Sequence, residues 1–217
     1  MTVNGRPGGD GRQQGDRSAR GGRTMIVAPH AQAGEAGNAV LKAGGNAIEA
    51  LIAAGAALSV VYPHFCGLGG DAVWMLSDAN GAVTTLLGIG QSPEDISGVT
   101  ELPARGAAST LTSACLVESW GRLLALSRDE WGGTRSLAQL LEQAILLAED
   151  GFTVSPSQRF WFDFRASERQ TWQASRRTSR GRGCRGSRRL AARCAALLSM
   201  DRGSSTRARL PRGSRQG

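Results

Sequence analysis

Ten of the eleven aromatic residues lie between positions 25 and 164, and Trp172 is the exception. A packed core is made from large apolar side chains. Any core this chain forms must therefore come from those 140 residues, enough for one modest domain. Charge divides the chain at the same places. Residues 1–24 hold five Arg and two Asp, a net +3, and residues 165–217 hold 15 Arg, one Glu and one Asp, a net +13. The middle holds five Arg, one Lys and 14 acids, a net −8 within an overall +8. The basic pI thus belongs to the ends, and the middle reads as an acidic protein. Segments rich in Gly, Ser and Arg bury too little apolar surface to offset their ordering entropy. Residues 1–24 are expected to be a disordered leader and 165–217 a disordered tail.

Several function classes fall away. No apolar run reaches the roughly 18 residues of a membrane-spanning helix, and the opening MTVNGRPGGDGRQQGDR has no apolar stretch for a signal peptide. Cys66, Cys115, Cys184 and Cys194 form no CxxC pair and have no His nearby in sequence, so no metal site is expected. Nor is any cofactor. Reduced thiols and a cytoplasmic location are the expectation. Only His30 and His64 offer an imidazole, and no G-x-S-x-G elbow nominates a serine for them. Both histidines read as structural. The carboxylate pairs Glu94-Asp95, Asp129-Glu130 and Glu149-Asp150 read as solvated surface.

Periodicity places the elements. A first helix is expected over 32–43, ending at Gly44-Gly45. A second begins at Asn46, with Glu49 in the geometry of a capping box. Ala50, Leu51, Ala54, Leu58 and Val61 recur at helical spacing. That helix is apolar nearly all round, which predicts burial on several sides, and Pro63 stops it. GLGGD at 67–71 then joins a helix to a strand, with no Lys-Ser/Thr following. It reads as a tight turn, not a phosphate cradle. AVWMLSD and AVTTLLG flank a turn sequence and predict a β-hairpin over 72–88. The second helix is expected to pack on it through Leu51, Leu58, Val73 and Met75. Helices are further expected over 114–128 and 137–150, the latter capped by Ser136 with Gln139 and ended by Gly151.

After Phe164 hydrophobic order stops. The chain has 25 Arg against a single Lys, Lys42, which suggests GC-rich coding DNA. A shifted reading frame through such DNA yields the Arg, Gly and Ser seen over 165–217. The Arg-rich tail would bind nucleic acid through phosphates, nonspecifically and with strong salt dependence. Recognition modules and interleaved aromatics are missing, so specific nucleic-acid binding is not expected.

Several pieces in this order resemble the opening of the γ-glutamyltransferase family, which includes glutathione hydrolases and related amide hydrolases. They are E-A-G at Glu35-Ala36-Gly37, L-x-x-G-G-N-A-x-E-A from Leu41 to Ala50, Pro63-His64, and G-x-G-G from Gly67 to Gly70. RGAASTLTSACLVESWGRLLAL and LAQLLEQAILLAEDGFTVSPSQ extend the likeness, which covers 25–164. YPHFCGLGGDAVWML is similar to the amidohydrolase branch, of which oxamate amidohydrolase is an example. The resemblance implies an α/β fold of the N-terminal nucleophile hydrolase type, two β-sheets between helix layers. This chain would form the N-terminal part of its large subunit. It also implies a precursor that cuts itself ahead of a Thr. That Thr then attacks a small amide substrate with its own α-amine as base.

Two departures follow. The family's nucleophile is a Thr followed by Thr/Ser-His, and no Thr of this chain has that context. No catalytic residue is therefore assigned. The chain alone is expected to be inactive and to want its small subunit. In D-G-R-E-x-A-P, the family's Arg grips the substrate α-carboxylate by paired hydrogen bonds. The aligned stretch here is LGIGQSP, with Ile89 at the Arg position, so the substrate contacts are left unassigned. The readings are a truncated amide hydrolase or acyltransferase, an Arg-tailed nucleic-acid-binding protein, and a remnant without function.

Overall fold

The computed structural model describes residues 21–102, 104, 109 and 112–171. In order, these form α1 (Ala31–Lys42), α2 (Ala47–Val61), β1 (Ala72–Ser77), β2 (Val83–Gly88), α3 (Leu116–Glu130), α4 (Leu137–Asp150), α5 (Pro156–Phe164) and α6 (Ala166–Thr171). The expected leader up to residue 20 and the tail beyond 171 lie outside the described residues. Residues 165–171 fall in the stretch expected as tail, and α6 occupies most of them.

α2 is the central helix. α1 and α4 pack along it, and α3 crosses it and carries the hairpin. Its sequence explains the position: Ile48, Ile52, Ala53, Ala56, Ala57, Val60 and Val61 are all buried, leaving no polar face to present to water. The small side chains let neighbours approach closely. A Cβ at Gly37 of α1 would stand 2.9 Å from the Ala50 carbonyl oxygen, so only glycine permits this crossing. α3 contributes Trp120, Leu123 and Leu124, and α4 contributes Leu137, Leu140, Leu141, Ala144 and Ala148. These α4 residues recur at helical spacing and form one buried stripe.

Both expected capping boxes form. The Asn46 side chain accepts from the Glu49 N–H at 3.0 Å, and Glu49 Oε2 accepts from the Asn46 N–H at 3.1 Å. Ser136 and Gln139 repeat the pattern on α4. Gly44, at φ 82°, and Gly151, at φ 89°, follow the ends of α1 and α4.

β1 and β2 pair antiparallel, with Val73 opposite Leu87 and Met75 opposite Thr85. The hairpin packs by the opposite face from the one expected. Trp74, Leu76 and Leu86 turn toward the helices, while Val73 is 64% and Met75 74% exposed. Alternation reveals two faces but not which is buried. The indole decides it: Trp74 Nε1 donates to Ser119 Oγ at 2.9 Å, and its ring reaches α2 beside Gly55. Leu51 is likewise 38% exposed, because Ile48 and Ile52 fill the inward positions of α2. Leu58 packs against the buried core.

α5 has no counterpart in the sequence reading. Ser155 caps it, accepting from the Gln158 N–H at 3.1 Å, and Pro156 occupies its first turn. Among the described residues no helix is long and apolar enough to cross a membrane.

Candidate functional site

Ile89 directly follows β2 at the open end of the hairpin and is 46% exposed. Three loops converge there. Asp71, last residue of the glycine turn, accepts the Gly90 N–H on Oδ1 at 2.9 Å. The Leu116 N–H donates to the Gly70 carbonyl at 3.0 Å. Gln91 and Ser113 exchange two bonds, Gln91 N–H to Ser113 Oγ at 3.1 Å and Ser113 N–H to the Gln91 carbonyl at 2.9 Å. A Cβ at Gly90 would overlap the Ser113 backbone, so this position takes only glycine. The sequence reading placed GLGGD and LGIGQSP separately. The structure sews them together with the segment leading into α3.

The chemistry of this junction is distinctive. Segments 67–71, 89–91 and 113–116 contribute no Lys or Arg. Their polar groups are Asp71, Gln91, Ser113 and the free thiol of Cys115, whose Sγ lies 3.9 Å from Ser113 Oγ. An anionic group placed at Ile89 would meet an aliphatic side chain and a nearby carboxylate in place of a guanidinium. No nucleophile–base pair is assembled here.

The remaining sequence candidates fall elsewhere. Glu94-Asp95, Asp129-Glu130 and Glu149-Asp150 are exposed, and Asp95 is held below the usual carboxylate range by hydrogen bonds from the Ser97 side chain and N–H. The glycine turn closes on itself through Gly70 N–H to the Gly67 carbonyl at 3.0 Å. His64 Nε2 lies 3.1 Å from Ser157 Oγ, and His30 stands at the start of α1 without a side-chain capping bond. Among the described residues no three His, Cys, Asp or Glu side chains gather as a metal ion would require. The nucleic-acid reading rests on the Arg-rich tail, nearly all of it outside the described residues. A cleft of about 480 Å³ opens at the other end of the hairpin, lined by Leu76, Asp78, Thr84, Leu126, Glu130 and Trp131 among others.

Sequence reasoning missed one polar junction. Glu49, 1% exposed, accepts on Oε1 from the Thr134 and Arg135 N–H groups, each at 2.9 Å. Asn46 Nδ2 donates to Ser127 Oγ at 2.8 Å. Together they tie the N-terminus of α2 to the end of α3 and the loop entering α4. The capping box was visible as a local pattern, but its partners about 85 residues away were not.

Comparison with known proteins places this architecture. Residues 33–177 match the family model described as gamma-glutamyltranspeptidase. The chain is 43% identical over 143 residues to the oxamate amidohydrolase proenzyme of Klebsiella pneumoniae, which spans 62% of this chain and 26% of that protein. It is 40% identical over 149 residues to the glutathione hydrolase-like YwrD proenzyme of Bacillus subtilis, spanning 66% and 27% respectively. The chain thus spans about a quarter of the length of these curated relatives. The crystal structure of Helicobacter pylori gamma-glutamyltranspeptidase superposes with a TM-score of 0.71 at 25% identity, covering 84% of this chain and 56% of that one. The fold is therefore a partial N-terminal nucleophile hydrolase fold, here one helix layer and one hairpin.

Proposed function

We propose, from the premise that this chain belongs to the gamma-glutamyltranspeptidase family, that it forms the N-terminal part of the large subunit of an amide hydrolase or acyltransferase. Its substrate is a small amide recognised without the Arg clamp on an α-carboxylate. The observation that carries this reading is Ile89. It stands at the family's Arg position in a junction whose three segments contain no cation. Losing a charge-assisted pair of hydrogen bonds costs binding of the order of 1.5–3 kcal/mol per bond. The likeness to an oxamate amidohydrolase supports placing the chain in the amidohydrolase branch rather than among enzymes of glutathione.

In this reading the acyl chemistry belongs to residues outside the 217. The mechanism needs a Thr freed at an N-terminus, its α-amine as base, and donors for the oxyanion. No Thr in this chain carries the Thr/Ser-His context of that nucleophile. The partner is the small subunit that supplies it. The free thiols of Cys66 and Cys115 support a reducing, cytoplasmic setting. The role of the described residues is positional. Asp71 and Ser113 fix the loop carrying Ile89, and α2 and α3 back the hairpin from which that loop emerges.

The test is an assay of the purified chain with a γ-glutamyl anilide and with oxamate, alongside a gel for self-cleavage. The expected result is no turnover and a single band. Turnover that survives purification, or a clean internal cut, would show that the nucleophile lies within these residues.

A further inference from the structure

His64 sits where α5 leans on the turn after α2. His30 occupies the N-cap position of α1, yet its side chain makes no capping bond. His64 lies in the turn after α2, its ring 4.2 Å from that of Tyr62 and 4.9 Å from that of Phe65. Nδ1 of each histidine is buried without a hydrogen-bond partner. His64 Nε2 meets Ser157 Oγ at 3.1 Å, in the first turn of α5. One turn further along α5, Trp161 stands edge-on to Phe65 at 5.4 Å. Gln158 is the one buried residue of α5, and the Ser157 and Trp161 contacts join the helix to the turn after α2.

The setting suits neutral rings and not charged ones. A proton on either Nδ1 would point a cationic N–H into a buried space with no acceptor. Each ring also lies at the positive end of a helix, His30 on α1 and His64 on α5. Two charged rings would repel each other as well. The nearby elements offer little relief. α1 brings Glu35, which favours charge on His30. On α5, Arg159 and Asp163 are exposed to water. Just after α5, Arg165 is engaged with Trp161, Phe164 and Glu168. Tyr62 and Cys66 flank His64 in the turn.

We propose that His64 is a protonation-sensitive latch, with His30 as its electrostatic neighbour. Neutral, His64 lets α5 close onto the turn after α2; charged, it releases it. The sign follows from linkage. Burial, chiefly, holds both rings below the ordinary histidine value of 6.5. The released state therefore binds protons more readily. Docking is complete above about pH 6.5 and weakens as pH falls below it.

The chain has two histidines, so imidazole NMR of the full chain reads each ring without overlap. Both are expected to titrate below their ordinary value, and His30→Gln should raise the His64 midpoint. Amide protection of residues 156–164, corrected for intrinsic exchange, should fall severalfold between about pH 7.5 and 5.5. Protection in α2 and α4 should hold. His64→Gln, which keeps a polar partner for Ser157 but cannot titrate, should remove most of that fall. Protection of α5 that ignores pH would overturn the latch. So would an undiminished fall in His64→Gln.

Discussion

Glu49 shows how far one side chain's work extends beyond its own helix. Its carboxylate caps α2 and also satisfies the two N–H groups that lead into α4. Glu49→Ala would leave those donors buried and unpaired, and a loss of about 2–4 kcal/mol in denaturant unfolding is expected. Glu49→Gln keeps an acceptor and should lose about half as much. At the hairpin's open end, Asp71→Ala removes the acceptor of the Gly90 N–H. The expected outcome is about 1 kcal/mol of stability and a faster-exchanging amide at Gly90, with the helices undisturbed. Legibility at this scale tracks sequence separation. Asn46 with Glu49 is a four-residue pattern, so the cap could be read. The bonds from Glu49 to Thr134 and from Asp71 to Gly90 exist only once the chain has folded back, and no local rule announces them.

Between elements, the helix positions were readable and the facing of the hairpin was not. α2 carries so little polarity that its burial on several sides followed from composition. Strand alternation leaves a binary choice, which Trp74 resolves through a hydrogen bond to Ser119 on α3. The consequence is measurable. Ile52→Ala and Leu76→Ala remove side chains from the core and should cost about 2–5 kcal/mol each. Leu51→Ala and Met75→Ala act on exposed positions and should stay under about 1 kcal/mol. Equal costs for Leu76 and Met75 would mean the hairpin is packed the other way round. α5 escaped notice because it is only nine residues long and lies directly against the change in composition after Phe164. Its start was nonetheless written in Ser155-Pro156, a capping residue followed by a proline in the first turn.

For the molecule as a whole, the outward face of the hairpin is the telling feature. Val73, Met75, Val83 and Leu87 are each more than half exposed and lie together on two paired strands. A contiguous apolar face of this kind marks an interface; this chain spans about a quarter of its curated relatives, and the occupant proposed for the face is the remainder of the family fold. Met75→Lys should therefore leave the stability of this chain unchanged while blocking assembly with the remainder of the enzyme. The proposal that Ile89 alters the substrate rests on one sequence motif, LGIGQSP. The acyl chemistry was not legible, because no Thr of this sequence is followed by Thr/Ser-His. The most direct measurement is a chimera, with residues 25–164 replacing the matched N-terminal region of the Klebsiella pneumoniae oxamate amidohydrolase proenzyme. It is expected to cut itself into two subunits and to hydrolyse oxamate while leaving a γ-glutamyl anilide untouched. A folded chimera that fails to cut itself, or one that prefers the γ-glutamyl anilide, would contradict the proposed role of this chain and of Ile89.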